Sequence, residues 1–283
     1  MKIIFSRKGF DQSAGGFPSL IFPDGTLFSI PIPSGPDNCT YSSLAFKYGG
    51  DTIQHVLNQV TNEKMHYNKR THGCNYVQPE QGCHHDPMYL TQSNRLTLGQ
   101  TGGAESLLRN QGVAEGDIFL FYGWFKRIAL TGGRWSYLHE ARDVHLIWSY
   151  MIVGAALNLD TQEDIAAALA GFPDLKLHPH LARDWDMTPN RVYVSEEHAL
   201  LRFSEDRCLT DLRNYEGRSK WRLPICFTQP KAFTHLKSFS PEGDDVIVRF
   251  RGFGQEFVLD LGRVSSDADR MAILQYVNRI RCP

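Results

Sequence analysis

Several things are scarce in this sequence, and each scarcity excludes something. No apolar run approaches the roughly 18 residues that a membrane-spanning helix needs. The longest candidate, LIWSYMIVGAALNL at 146–159, amounts to a strand and a turn. The opening MKIIFSRKGF is far too short in apolar residues to resemble the core of a secretory leader. Cysteine is sparse, with six residues in 283, too few for a disulfide scaffold of this length. The expectation is reduced thiols in a cytoplasmic protein with no membrane association.

An excess of one charge is missing too. Thirty basic residues against thirty-one acidic leave a formal charge of −1. A protein that grips a long duplex by its phosphates carries a strong basic excess, so extended non-specific DNA binding is excluded. A nucleotide, or a base in locally unpaired nucleic acid, needs only local charge and stays open as a partner. The signatures G-x-S-x-G, H-E-x-x-H and the Walker A loop are also absent. So are internal repeats, low-complexity tracts and Pro/Ser linkers. Residues 1–283 are therefore expected to form one domain, long enough to bury a proper core.

What is present reads as a strand-rich mixed α+β fold with a few peripheral helices. KIIFSRKGFD suggests a strand opening into a polar turn. LIFPDGTLFSIPIP suggests a hairpin, with Pro23 fixing φ and Gly25 free to take positive φ. Ile53, Val56, Leu57 and Val60 share one helical face, with Asp51 or Thr52 as cap. GGAESLLRNQGV is a short helix stopped near Gly112. GDIFLFYGWF and VHLIWSYMIVGAAL are strong strands. TQEDIAAALAG is a helix with Thr161 and Asp164 as a capping box. DDVIVRF and QEFVLDL read as a hairpin around RGFG, and the chain closes on an amphipathic helix capped by Ser265 or Ser266.

The chemistry concentrates in QGCHHDP, residues 81–87. On extended chain, positions two apart share a face, so His84 and Asp86 can converge on one ion. A second histidine would complete a two-His-one-carboxylate set, which leaves open positions on iron(II). His145, His178 and His180 are the candidates. In 2-oxoglutarate oxygenases an arginine follows the distal histidine by some ten positions, and Arg191 follows His180 by eleven. Structural zinc is the competing metal, from His72, Cys74, Cys83 and either adjacent histidine. A metal-free polar loop is the third reading. Elsewhere, Arg7 and Lys8 sit where a strand opens into a glycine-bearing turn with Asp11 and Ser13. Such a turn suits a phosphate or carboxylate, although Asp11 could simply bond its own backbone. Tyr122 and Trp124 fall on one face of their strand, where a base could stack.

Taken together, KIIFSRKGFDQSAGG, PSLIFPDGTLFSIPIP, the His-x-Asp-Pro at 84–87, NQGVAEGDIFLFYGWF and the strand opening at His145 resemble the third nucleotide modification associated domain family. The likeness covers most of residues 1–155. It marks Ser6, Arg7, Lys8, Asp11, Asp24, His84, Asp86, Asp117 and His145 as the matching polar positions. Phe17 and the Cys/His-rich stretch before His84 depart from the pattern. The resemblance implies action alongside partner enzymes of a DNA-modification system. The strand pair GVAEGDIFLFYGWF and VHLIWSYMIVGAAL also looks like part of a PUA-like β-barrel element, a likeness at fold level only.

Two functions follow. The first is a metal-dependent enzyme on a nucleotide or base, using iron(II) in preference to zinc, with 2-oxoglutarate as a candidate co-substrate. In it Asp11 or Asp24, the candidate catalytic carboxylates, helps to position substrate, Arg7 and Lys8 hold a phosphate, and Ser6 is a further substrate-binding position. The second is a non-catalytic PUA-like reader that stacks a flipped base on Tyr122 or Trp124.

Overall fold

Apolar runs without polar alternation belong in a sheet covered on both faces, and that is where the strongest strands lie. In the computed structural model, which describes residues 1–34, 39–63, 65–66, 74–75, 81–89, 94–182, 188–250 and 256–282, they build one central sheet. Its members are β1 (Lys2–Arg7), β2 (Leu96–Thr101), β3 (Ile118–Thr131), β4 (Val144–Asn158), β5 (Asn190–Leu200) and β6 (Glu256–Asp260). The spatial order is β2-β5-β4-β3-β1-β6, with Met88–Tyr89 beyond β2. β1 runs parallel to β3, pairing Ile3 with Ile118 and Arg7 with Tyr122, and antiparallel to β6. The fold is strand-rich α+β, and the sheet curls into a half-barrel.

Side-chain alternation divides the core in two. Ile3, Phe5, Ile118, Leu120 and Tyr122 pack on one face, with Trp221, Phe227 and Ile273. Ile4, Phe119, Phe121 and Phe125 pack on the other, with Leu96, Leu98 and Leu108. Curvature comes from bulges, one between Phe121 and Tyr122 in the β3–β4 pairing and two around Ile152–Ala155 in the β4–β5 pairing. Gly154 sits at the second, where a Cβ would stand 2.9 Å from the backbone nitrogen of Glu196.

The helices are α1 (Ile53–Val60), α2 (Gly102–Asn110), α3 (Gln162–Gly171) and α4 (Asp267–Arg281). Their starts follow the local chemistry. Thr52 Oγ1 accepts from His55 N, Thr161 and Asp164 form the reciprocal box, and Ser266 Oγ accepts from Asp269 N. The PDG turn joins Ser19–Ile21 to Leu27–Phe28 with Gly25 at φ 87°. The five cysteines whose side chains are described are free thiols. Among the described residues no helix is long and apolar enough to cross a membrane.

One local expectation fails. Asp245–Phe250 and Glu256–Asp260 do not pair with each other. The first joins a three-stranded sheet between Trp221–Pro224 and Leu236–Glu242, and the second joins β1. Phe257, Val258 and Leu259 are each almost fully buried, and the central sheet supplies that burial on both sides. Tertiary burial outweighs the local turn signal.

The three-stranded sheet is tied down by Asp211, which is fully buried and accepts from Arg222 Nε at 2.8 Å, with Lys220 Nζ at 3.2 Å. Burial opposes its ionisation, but the Arg222 hydrogen bond and the adjacent backbone and lysine donors prevail and lower its pKa to about 2. A depressed carboxylate pKa adds stability above the unfolded value near 4, and that stability is lost as pH falls toward 2. Asp211→Asn removes the buried anion of this network and leaves Arg222 to Glu242 and Asp245 and Lys220 to Glu216, and it is expected to cost about 3 kcal/mol at neutral pH. Urea melts of both proteins at stepwise lower pH check this: the gap between them should close below about pH 4. A gap that stays constant down to pH 3 would show that Asp211 is not a stabilising anion.

Candidate metal centre

His84 is the last residue of the short strand Cys83–His84, which pairs antiparallel with Ile32–Pro33. Cys83 is anchored in an apolar cluster with Phe10, Phe22 and Ile30, so alternation turns His84 away from that core. Asp86 lies two residues on, beyond the strand. His178 ends a 3-10 turn and His180 stands in the helical turn Pro179–Ala182. Two distant pieces of chain therefore meet.

Their ring nitrogens surround one carboxylate. His84 Nε2 is 3.7 Å from Asp86 Oδ2, His180 Nε2 is 3.9 Å from the same oxygen, and His178 Nε2 is 3.9 Å from Oδ1. Both carboxylate oxygens lie 3.0 Å from the Gly99 backbone N–H. Burial opposes ionisation of Asp86, yet the His84 hydrogen bond and the charge of Lys8 hold its carboxyl well below the usual range. Burial has the opposite consequence for the imidazoles. It lowers the pKa of His178 to about 3 and also lowers that of His180. Both rings are neutral at pH 7, the form that a metal ion requires.

The tautomers can be deduced. Asn190 offers its Nδ2 to the His180 carbonyl at 3.4 Å, so its Oδ1, 2.9 Å from His180 Nδ1, must accept. His180 therefore carries its proton on Nδ1 and its lone pair on Nε2, the usual arrangement when a partner orients a metal-binding histidine. His178 is the reverse. Its Nδ1 accepts from the His180 backbone N–H at 3.2 Å, which leaves the proton on Nε2. Among the described residues that buried Nε2 has no hydrogen-bond partner, and it lies 3.9 Å from Asp86 Oδ1. One ligand atom each from His84, Asp86 and His180 lies within 4.8 Å of the others, so the cluster could hold a metal ion. Neighbouring oxygens around an octahedral ion at about 2.1 Å are roughly 3 Å apart, so only small adjustments are needed.

Packing protects the arrangement. A Cβ on Gly99 would lie 2.3 Å from His180 Cδ2 and 2.5 Å from Nε2. Only glycine lets that imidazole cross β2 at this height. The cluster opens into a cleft of about 390 Å³ that Arg7, Lys8, Asp11 and Gln100 also line.

The family model for nucleotide modification associated domain 3 matches residues 2–260. The chain belongs to that family. No curated protein and no solved structure matches it.

Within this nucleotide modification associated domain the other expected residues are distributed unevenly. Arg7 and Lys8 share the cleft with His84 and Asp86. Asp11 lines it too, but its Oδ1 accepts from the Ser13 and Ala14 backbone N–H groups and its Oδ2 pairs with Arg7 at 3.4 Å. Ser6 is buried beneath, donating to Glu256. Asp24 is exposed in the PDG turn, where it accepts from Thr26 and pairs with Arg202. Asp117 accepts from Lys2 N and Ala114 N at the start of β3. His145 does not join the cluster; its Nδ1 accepts from the Trp221 indole at 2.9 Å. Arg191 is committed to Glu105 and Asn158. Arg218 covers the Trp124 ring at 4.2 Å, and Tyr122 is 2% exposed. Of the zinc set, His72 and the Cys74 side chain lie outside the described residues, and Cys83 Sγ faces Cys39 Sγ at 3.5 Å.

Sequence reasoning missed Gly99, Asn190 and Glu256. Glu256 is almost fully buried, receiving Gln100 at 2.6 Å, Ser6 at 3.1 Å and Lys8 at 3.7 Å. A signal existed in QEFVLDL, where a carboxylate opens an otherwise apolar strand. Gly99→Ala is expected to push the His180 ring aside and weaken cobalt(II) binding by about 10–100-fold, with only a modest drop in melting temperature. Unchanged affinity in a cobalt titration would mean that His180 is not a ligand.

Proposed function

We propose that this domain is a metal-dependent enzyme that modifies a nucleotide, or a base in locally unpaired nucleic acid, with His84, Asp86 and His180 as the protein ligands. The carrying observation is the convergence of two imidazoles and one ionised carboxylate on a single point at the floor of a polar cleft. Membership of a nucleotide-modification family supplies the substrate class. A set of two imidazoles and a carboxylate with no thiolate favours iron(II) over zinc, and leaves open positions at which a bound iron could activate oxygen. A 2-oxoglutarate co-substrate fits the same open positions. Its distal carboxylate would pair with Lys8 or Arg7, which line the cleft, whereas Arg191 does not.

The chain's own residues then divide the work. Asn190 fixes the tautomer of His180, the Gly99 amide holds Asp86 with His178 packed beside it, and Lys8 and Arg7 place positive charge at the cleft wall for an anionic group. Asp11 orients Arg7 through their ion pair. We take residues 1–283 as one domain that acts in the cytoplasm with partner enzymes of a DNA-modification system. The competing reading is a PUA-like reader. It would need Trp124 or Tyr122 open for stacking, whereas Arg218 covers one and the core encloses the other.

Elemental analysis of protein prepared anaerobically with iron(II) tests the proposal. Wild type and His85→Ala should hold about one equivalent, while His84→Ala, Asp86→Ala and His180→Ala should hold almost none and stay folded by circular dichroism. His178→Ala should weaken binding by about tenfold without abolishing it. Metal-free wild type, or full occupancy in all three ligand variants, would remove the reading.

A further inference from the structure

Beside the metal cleft lies a second, larger cleft of about 580 Å³, joined to the first through Arg7, Asp11 and Ser13. Its floor is aromatic: Tyr122, Trp221 and Phe257 are buried there, and Phe250 stacks on Phe257 with centroids 3.8 Å apart. Its rim carries Arg7, Arg218, Lys237 and Arg249, with Asp11 the sole carboxylate among the described residues of the lining. A chain with a net charge of −1 has thus gathered four cations around one opening.

Their partners decide what the opening can take. Arg7 is matched by Asp11 at 3.4 Å, and Arg249 by Glu216 at 2.6 Å. Arg218 and Lys237 make no ion pair among the described residues. Arg218 is half-buried against the Trp124 face at 4.2 Å, and the largest opposing charge acting on it is that of Asp143, which is itself paired with Lys126 at 3.8 Å. Burial and the neighbouring Arg7 disfavour the charge of Arg218 more than Asp143 and Asp11 support it, so a bound anion would relieve it. Two cations without a direct ion pair match the charge of one phosphomonoester, about −1.5 to −2 at neutral pH. The planar donor array of arginine suits phosphate oxygens. His145 adds a further donor, because its Nδ1 accepts from Trp221 and its Nε2 therefore carries the proton.

From this geometry we infer that the second cleft anchors the phosphomonoester of a nucleotide on Arg218 and Lys237, so that the nucleoside end extends past Arg7 into the metal cleft. The inference deepens the proposed function and rests on it only for the destination of the nucleoside; the phosphate anchor stands without a metal. The phosphate could belong to a free nucleoside 5′-monophosphate or to the 5′ end of a single strand.

Calorimetric titration with chelator present tests the anchor, using deoxynucleoside 5′-monophosphates, the parent nucleosides, and short single strands with and without a 5′-phosphate. Monophosphates should bind at least about tenfold more tightly than nucleosides. Arg218→Gln should remove most of that preference while nucleoside affinity stays within about twofold. Lys237→Gln, on an exposed side chain that leaves the fold intact, should lower monophosphate affinity by about threefold. Tighter binding of the phosphorylated strand than of the free monophosphate would identify a strand end, the reverse would identify a free nucleotide, and both uphold the anchor. Equal binding of nucleotides and nucleosides, or full monophosphate affinity in both variants, overturns it. The two claims fail separately. Phosphate preference that survives in His84→Ala, in a protein that never binds metal, would remove the metal and keep the anchor. Metal binding without phosphate preference would do the opposite.

Discussion

Asp86 is a carboxylate held almost out of water by three imidazoles and one backbone N–H. That burial is the constraint on which the site depends. An ion of this kind is costly to desolvate, and the surroundings offset the cost with several separate devices: the Gly99 amide, the charge of Lys8 above, and the polar rings packed around it. Each device comes from a different element. β2 brings Gly99, the turn after β1 brings Lys8, and the segment before β5 brings both later histidines. The half-barrel is what makes these ends meet, because its curl brings β1 and β2 toward one opening. A flat sheet in the same strand order would leave three strands between them.

The two clefts share a wall. Arg7 and Asp11 stand between them, and their ion pair fixes the side chain that faces both. Beneath, Glu256 gathers Ser6, Lys8 and Gln100 into one buried polar cluster. Buried polar networks are stable only when their members are satisfied. Glu256 therefore couples β6 to the cleft lining, although it does not itself line either cleft. This explains why a short edge strand with an acidic first residue belongs beside β1 and not in a local hairpin.

Much of the fold was legible because it rests on local chemistry. Thr52, Thr161 and Ser266 cap helices where a short hydroxyl precedes apolar periodicity, and Gly25 and Gly112 take the positive φ their positions require. The doubly covered strands announced themselves as unbroken apolar runs. The pairing of β6 was not legible, since strand partners are chosen by burial and not by proximity in the chain. At the site, His84 and Asp86 could be read from their spacing, and His178 and His180 from composition alone. Choosing between those two needed Asn190, whose amide assigns the ring protons, and no spacing rule points to it. His145 drew attention as a histidine on a buried strand; its role against Trp221 is a packing fact visible only in three dimensions.

The most direct test of the account is anomalous diffraction at the metal edge from crystals grown with iron(II) under anaerobic conditions. The account predicts a single strong peak about 2.1 Å from His84 Nε2, His180 Nε2 and a carboxylate oxygen of Asp86, with His178 outside the coordination sphere. A peak on Cys83 with residues before it, or no peak at this cluster in a metal-replete crystal, would contradict it.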